Sequence, residues 1–394
     1  MAQVTPTRAE LPVEHTWDTD SIFATVDDWK AAIETLKGQL AKLSAYNGRL
    51  QSPAVLIEYL TKNEVMMRSL GKVFVYAGLT YSVDTNDQDA AGRNDQGRGW
   101  FGKAIAATAF AEPELLAIGF DTLRQWMIDE PKLAEYAHYF ERLEKEQKHI
   151  RSAEVEQVLG MARDAFGTAS ATHGILANAD LKFTPAKDSA GNEYDITQGS
   201  LRGLLGDTDR QLRRSAWENY ADAHLAFKNT MANALSAGVK QDVFNARVRG
   251  YEGSLDAAMS SSHIPTAVFH NLIDTFKKNL PTWHRYWAIR RKMLGVDKLY
   301  EYDLKAPLTQ NGPVVDYNQS IEWIAKGLEP LGNDYVSVLK QGALQDRWVD
   351  IYPNKGKRMG AFSSGVPGTN PFIMMSYTDD LFGMSTLANE LGHS

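Results

Sequence analysis

From Thr25 onward the chain repeats one arrangement: a residue that can cap a helix, then apolar side chains at three- and four-residue spacing. Thr25-Val-Asp-Asp28 is followed by Trp29, Ile33, Leu36, Leu40 and Leu43, which line one face of a 3.6-residue helix and leave the other face polar. Comparable patterns run through about 53–82, 87–111, 130–149, 153–177, 208–248, 265–279 and 282–294. A chain patterned this way buries its apolar stripes by packing helix on helix, so a mainly α, multi-helix fold is expected.

Two stretches depart from helical spacing. Leu181–Pro185 and Glu193–Ile196 flank the turn Asp188-Ser-Ala-Gly-Asn192 and predict a short hairpin. Trp348–Tyr352, Met359–Phe362 and Pro371–Tyr377 are β-like runs separated by Pro, Gly and Asn, so a small sheet is expected over about 347–377, next to a last helix over about 380–394. This divides the chain into a helical lobe, 1–180, and a second region, 181–394, that carries the sheet and the last helix.

Composition narrows the chemistry. With 42 Lys and Arg against 49 Asp and Glu the formal charge is −7, so there is no global basic field for nucleic acid or anionic lipid. No apolar stretch approaches the ~18 residues of a membrane span, and the N-terminus lacks a basic head followed by an apolar core. A cytoplasmic protein with no nucleic-acid or membrane partner is expected. The absence of Cys removes disulfides, thiolate metal sites and cysteine nucleophiles, leaving His, Asp and Glu as the strong metal ligands. There is no Gly-rich phosphate loop, Gly-x-Ser-x-Gly elbow or internal repeat.

Of the nine histidines, His15, His173, His224, His263, His270 and His284 lack an acidic or histidine partner at a compelling helical spacing and read as structural. Glu135-Tyr-Ala-His138 and Glu146-Gln-Lys-His149 both fit the Glu-x-x-His pattern of di-iron bundles. On a single helix, however, their 11-residue separation sets them about 16 Å apart, too far to share a metal pair. Ser385-Thr-Leu-Ala-Asn-Glu-Leu-Gly-His-Ser394 differs by one residue from the zinc-peptidase pattern His-Glu-x-x-His. There, two imidazoles at i and i+4 share a helical face and bind zinc, while the glutamate activates the bound water. Asn389 stands at the first ligand position, Glu390 at the base and His393 at the second ligand.

Read with its surroundings, this segment resembles the oligoendopeptidase F branch of the M3 zinc metallopeptidases, whose metal helix carries Thr-Leu-Ala-His-Glu-Leu-Gly-His-Ser. Gly356-Lys-Arg-Met-Gly-Ala-Phe362, Asn370-Pro-Phe-Ile-Met-Met-Ser-Tyr377, the connector Leu294–Leu308, Tyr251–Met259 and Arg213–Tyr220 extend the resemblance over 211–394. It implies a zinc-dependent endopeptidase that hydrolyses short peptides, with Glu390 as general base, His393 as zinc ligand and Asn389 at a ligand position. Met359, Gly360, Ala361 and Phe362 are implied to bind substrate through their backbone. It also implies that the third zinc ligand and the groups that stabilise the tetrahedral intermediate belong to a C-terminal segment beyond Ser394, which becomes a partner of this chain.

An amide oxygen is a weaker zinc partner than an imidazole, so Asn389 predicts a form that is inactive or nearly so. Two further readings stay open: a non-catalytic peptide-binding protein descended from such an enzyme, and a ferritin-like di-metal protein pairing Glu390 and His393 with Glu135 and His138.

Overall fold

A computed structural model describes residues 5–309 and 312–394, so the start of the N-terminal stretch, residues 1–4, lies outside the described residues. Helix α1, Val26–Ser44, starts where the pattern places it. The Thr25 hydroxyl accepts from Asp28 N–H at 3.1 Å and the Asp28 carboxylate accepts from Thr25 N–H at 3.0 Å, a reciprocal cap that satisfies two amides of the first turn. Trp29, Ile33, Leu36, Leu40 and Leu43 are all buried. They meet α2 (Pro53–Val83) and α3 (Gln88–Thr108), with the Trp29 indole donating to Val73 O at 2.9 Å.

Two helices that sequence spacing did not indicate follow α3, α4 (Ala111–Ile118) and α5 (Phe120–Asp129), and then come α6 (Pro131–Ala134) and α7 (Ala137–Glu146). The single helix expected over 130–149 is interrupted at Tyr136, whose φ of −96° and ψ of 9° leave helical geometry, while Leu133 and Phe140 on either side enter the main core. Core packing overrides the continuous periodicity, so the 16 Å spacing derived for an unbroken helix does not apply. The di-metal reading loses its geometry as well, because Glu135 and His138 flank the break. The next helix, α8 (Ala153–Ile175), widens into a π-turn at Leu176–Asp180, where Leu181 N–H reaches back to Leu176 O.

The hairpin forms, with its first strand later than expected: β1 (Ala186–Lys187) pairs antiparallel with β2 (Glu193–Tyr194) around Gly191 at φ +84°. Then come α9 (Leu201–Leu205), α10 (Arg210–Ala226), α11 (Lys228–Val248), α12 (Ser254–Ser260), α13 (Thr266–Lys278) and α14 (Leu280–Met293). The expected 208–248 helix is divided at Phe227, whose φ of −111° ends α10. α13 buries none of its residues, and Leu272, Phe276, Ile289 and Met293 of the α13–α14 pair are each more than half exposed.

Two further helices that sequence spacing did not indicate, α15 (Tyr317–Gly327) and α16 (Asn333–Leu344), precede the small sheet. Its strands are β3 (Val349–Asp350), β4 (Phe362–Ser364) and β5 (Phe372–Met374), in the order β3-β5-β4, with β3 parallel and β4 antiparallel to the central β5. The last helix is α17, Leu381–His393. Alternate side chains of the β5 segment face two cores. Phe372 and Met374 pack with Trp17 and with Val75, Leu79 and Val83 of α2, whereas Ile373 and Met375 pack with α15, α16 and Leu387 and Leu391 of α17. Burial on both sides explains why the strand reads as an uninterrupted apolar run. Apolar packing of α2 on β5 thus crosses the division at residue 180. Among the described residues no helix is long and apolar enough to cross a membrane.

Candidate active site

α17 is positioned from its first turn. Asp380 accepts from Gly383 N–H at 2.6 Å, and the Tyr377 ring lies so close to Gly383 that an added Cβ would sit 3.0 Å from it. Tyr377 is itself locked in place: its hydroxyl donates to Val315 O at 2.8 Å and is hydrogen-bonded to Ser320 Oγ, and burial raises its phenol pKa. Leu387 and Leu391 follow on the buried face, so helical geometry turns Glu390 inward as well and leaves it 7% exposed. Asn389 and His393, four residues apart, share an exposed face. The Asn389 amide donates to Glu390 Oε1 at 3.2 Å. At the far end Ser394 Oγ donates to Glu390 O at 3.0 Å and lies 2.9 Å from Ser363 Oγ of β4, which ties the helix end to the edge strand.

The four residues implied to bind substrate do not form one strand. β4 starts only at Phe362, because Gly360 at φ +96° turns the chain out of extended geometry. Met359 is 58% exposed, Ala361 packs against the α17 core, and Phe362 approaches Trp17 with ring centroids 6.2 Å apart. A Cβ at Gly360 would meet nothing within 4 Å, so its conformation, not crowding from this chain, calls for glycine. The approach to the bend is anchored twice: Arg358 N–H donates to Ser82 O at 2.9 Å, and Met359 N–H donates to Asn178 Oδ1 at 3.3 Å. Asn178 carries no motif, and its proximity depends on a π-turn that no sequence pattern indicates.

The donors on α17 do not make a metal site. On its exposed face they amount to one imidazole and one amide, Glu390 being turned inward, and among the described residues no group of three or more His, Cys, Asp or Glu could hold a metal ion. Several other histidines have structural partners: His15 meets the Tyr352 ring edge-on, His149 stacks on Tyr251, and His224 Nδ1 lies 2.8 Å from Tyr220 O.

Comparison with known proteins identifies the family. A family model described as peptidase family M3 matches residues 204–394, and one described as oligopeptidase F matches 114–183. The chain belongs to peptidase family M3. It is 39% identical to oligopeptidase PepF of Bacillus subtilis over 99% of its own length and 58% of that protein's. With the group B oligopeptidase PepB of Streptococcus agalactiae it shares 31% identity over 98% of its length and 64% of the relative's. The crystal structure of oligoendopeptidase-F from Enterococcus faecium superposes with a TM-score of 0.71 at 30% identity, covering 82% of this chain and 60% of that one. The M3 chain described here therefore spans about three fifths of the relatives it matches. The expected mainly α fold with a small sheet beside the last helix is the fold observed.

Proposed function

We propose that this chain carries the peptide-binding edge and the general-base helix of an M3-type oligoendopeptidase acting on short peptides. The observation that carries the reading is the placement of Glu390 against β4: a carboxylate in a largely buried position, on a helix tied through Ser394 to the outer strand of a three-stranded sheet. An extended peptide laid along the free edge of β4, with Met359–Phe362 leading into it, would pair through its backbone and so be held without regard to most of its side chains. Glu390 is then the group that takes the proton of the attacking water. Zinc is the cofactor of a completed site with imidazoles at positions 389 and 393 and a carboxylate, and not of the donor set present here. A segment equivalent to the remaining length of the relatives would complete that site, and a cytoplasmic setting belongs to the same reading, as does the division into lobes 1–180 and 181–394.

The amide at position 389 favours a second form of this reading, in which the chain binds peptides without cleaving them. The experiment is hydrolysis of a quenched fluorescent peptide alongside its binding, measured by fluorescence anisotropy. Binding without cleavage is expected. Absence of binding at millimolar peptide would remove the edge-strand reading, and cleavage by the chain as it stands would remove the assignment of inactivity to Asn389.

A further inference from the structure

The Leu176–Asp180 π-turn is joined to the loop entering β4. A π-turn adds a residue to one turn of helix, rotating the chain beyond it by roughly 100° and freeing carbonyls from their usual partners. Here side chains take those carbonyls: Asn178 Nδ2 donates to Gly174 O at 2.8 Å, Gln198 Nε2 to Ala177 O at 2.6 Å and Lys182 Nζ to Ala179 O at 3.0 Å. Gln198 is fixed in turn by Tyr220 of α10, whose hydroxyl donates to Gln198 Oε1 at 2.9 Å. The rotated turn sends Asn178 across 181 residues of sequence to accept from Met359 N–H.

We propose that Asn178 is a positioning residue for the peptide-binding edge: through Met359 N–H, the end of α8 sets the direction in which the chain enters β4. This rests on the reading of Met359–Phe362 as the substrate edge. Arg358 N–H is held by Ser82 O of α2 and Met359 N–H by Asn178, so the backbone is pinned on both residues before the glycine bend. Without the second pin, the freedom of Gly360 at φ +96° extends back to Arg358, and the edge samples orientations that cannot align with an extended peptide.

The two halves of the Asn178 amide separate positioning from support. Asn178→Ala removes both contacts, whereas Asn178→Asp keeps an oxygen for Met359 N–H but replaces the donor to Gly174 O with a carboxylate oxygen that repels it. The measurements, on the full chain, are hydrogen exchange of a proteolytic fragment spanning Met359, the melting temperature, and anisotropy of a labelled heptapeptide of Ala, Gly and Phe. In Asn178→Ala, exchange at Met359 should rise at least about tenfold and peptide affinity should fall roughly 3- to 10-fold. In Asn178→Asp both should stay near the parent's, although the melting temperature drops. Unchanged exchange in Asn178→Ala, or equal peptide affinities for the two variants, overturns the proposal. A parent that binds no peptide overturns the reading of the edge, and Met359 exchange then still decides whether Asn178 holds the loop.

Discussion

The Asn389 side-chain amide donates to the carboxylate of Glu390, its neighbour on α17, at 3.2 Å. The residue at the proposed first ligand position of the helix thus holds the candidate base and offers no ring nitrogen on the face it shares with His393. Asn389→His should place two imidazoles at i and i+4 and raise zinc affinity by more than the roughly 10- to 100-fold typical of a supporting contact alone. Glu390→Gln added to Asn389→His should leave that affinity nearly unchanged. Equilibrium dialysis against zinc checks both, and equal affinity in the parent and Asn389→His would count against a ligand role for this helix face.

Gly360→Val tests the bend before β4. At φ +96° a β-branched residue costs on the order of 1–3 kcal/mol, and the chain relieves the strain by moving the 359–362 backbone. A lower melting temperature and weaker peptide binding are expected together. Peptide affinity equal to the parent's would show that this segment does not touch the peptide.

On β3, Asp350 is fully buried between Arg8, at 2.6 Å, and Lys357, also at 2.6 Å. Lys357 donates as well to Tyr352 O at 2.7 Å, and burial lowers its pKa despite the carboxylate beside it. Asp350→Ala leaves these cations without their counterion and should cost about 3–5 kcal/mol. Adding Lys357→Met should recover part of the loss. Urea unfolding of the single and double variants measures the coupling, and strict additivity would show that the pair does not act as one unit.

Asp209 caps α10 and accepts from both the hydroxyl and the amide of Ser189 in the hairpin turn. The Ser189 hydroxyl is the main cause that lowers its carboxyl from 3.8 to about 2. Because the folded pKa lies below the unfolded one, the contribution to stability is complete above about pH 4 and is lost as pH falls toward 2. The melting temperature of Asp209→Asn should therefore fall less steeply than the parent's across that window. Parallel profiles would refute the assignment.

The α13–α14 pair leaves Leu272, Phe276, Ile289 and Met293 each more than half exposed, and apolar side chains exposed together favour association. The chain by itself should bind a hydrophobic dye and melt over a broad range, with associated species in light scattering. A sharp two-state melt of a monodisperse monomer would contradict this.

Local chemistry was enough to place much of the molecule. The Thr25 and Asp28 cap, the apolar spacing of α1 and the turn around Gly191 involve residues within a few positions of each other, so their structure follows from the chain's own short-range geometry. The helix bearing Asn389, Glu390 and His393 was legible for the same reason, and the family was legible from ordered motifs, whereas the bend at Gly360 was not, since Met359–Phe362 reads as one β-like run. Tertiary packing decided what those residues face. Tyr136 breaks an otherwise continuous pattern as Leu133 and Phe140 enter one core. The β5 run is apolar throughout because two cores meet on it, and Glu390 lies inward because Leu387 and Leu391 set the rotation of α17. Asn178 reaches Met359 only because a π-turn and a fold spanning 181 residues bring them together. Contacts of that range depend on the whole chain closing at once, and no local pattern encodes them.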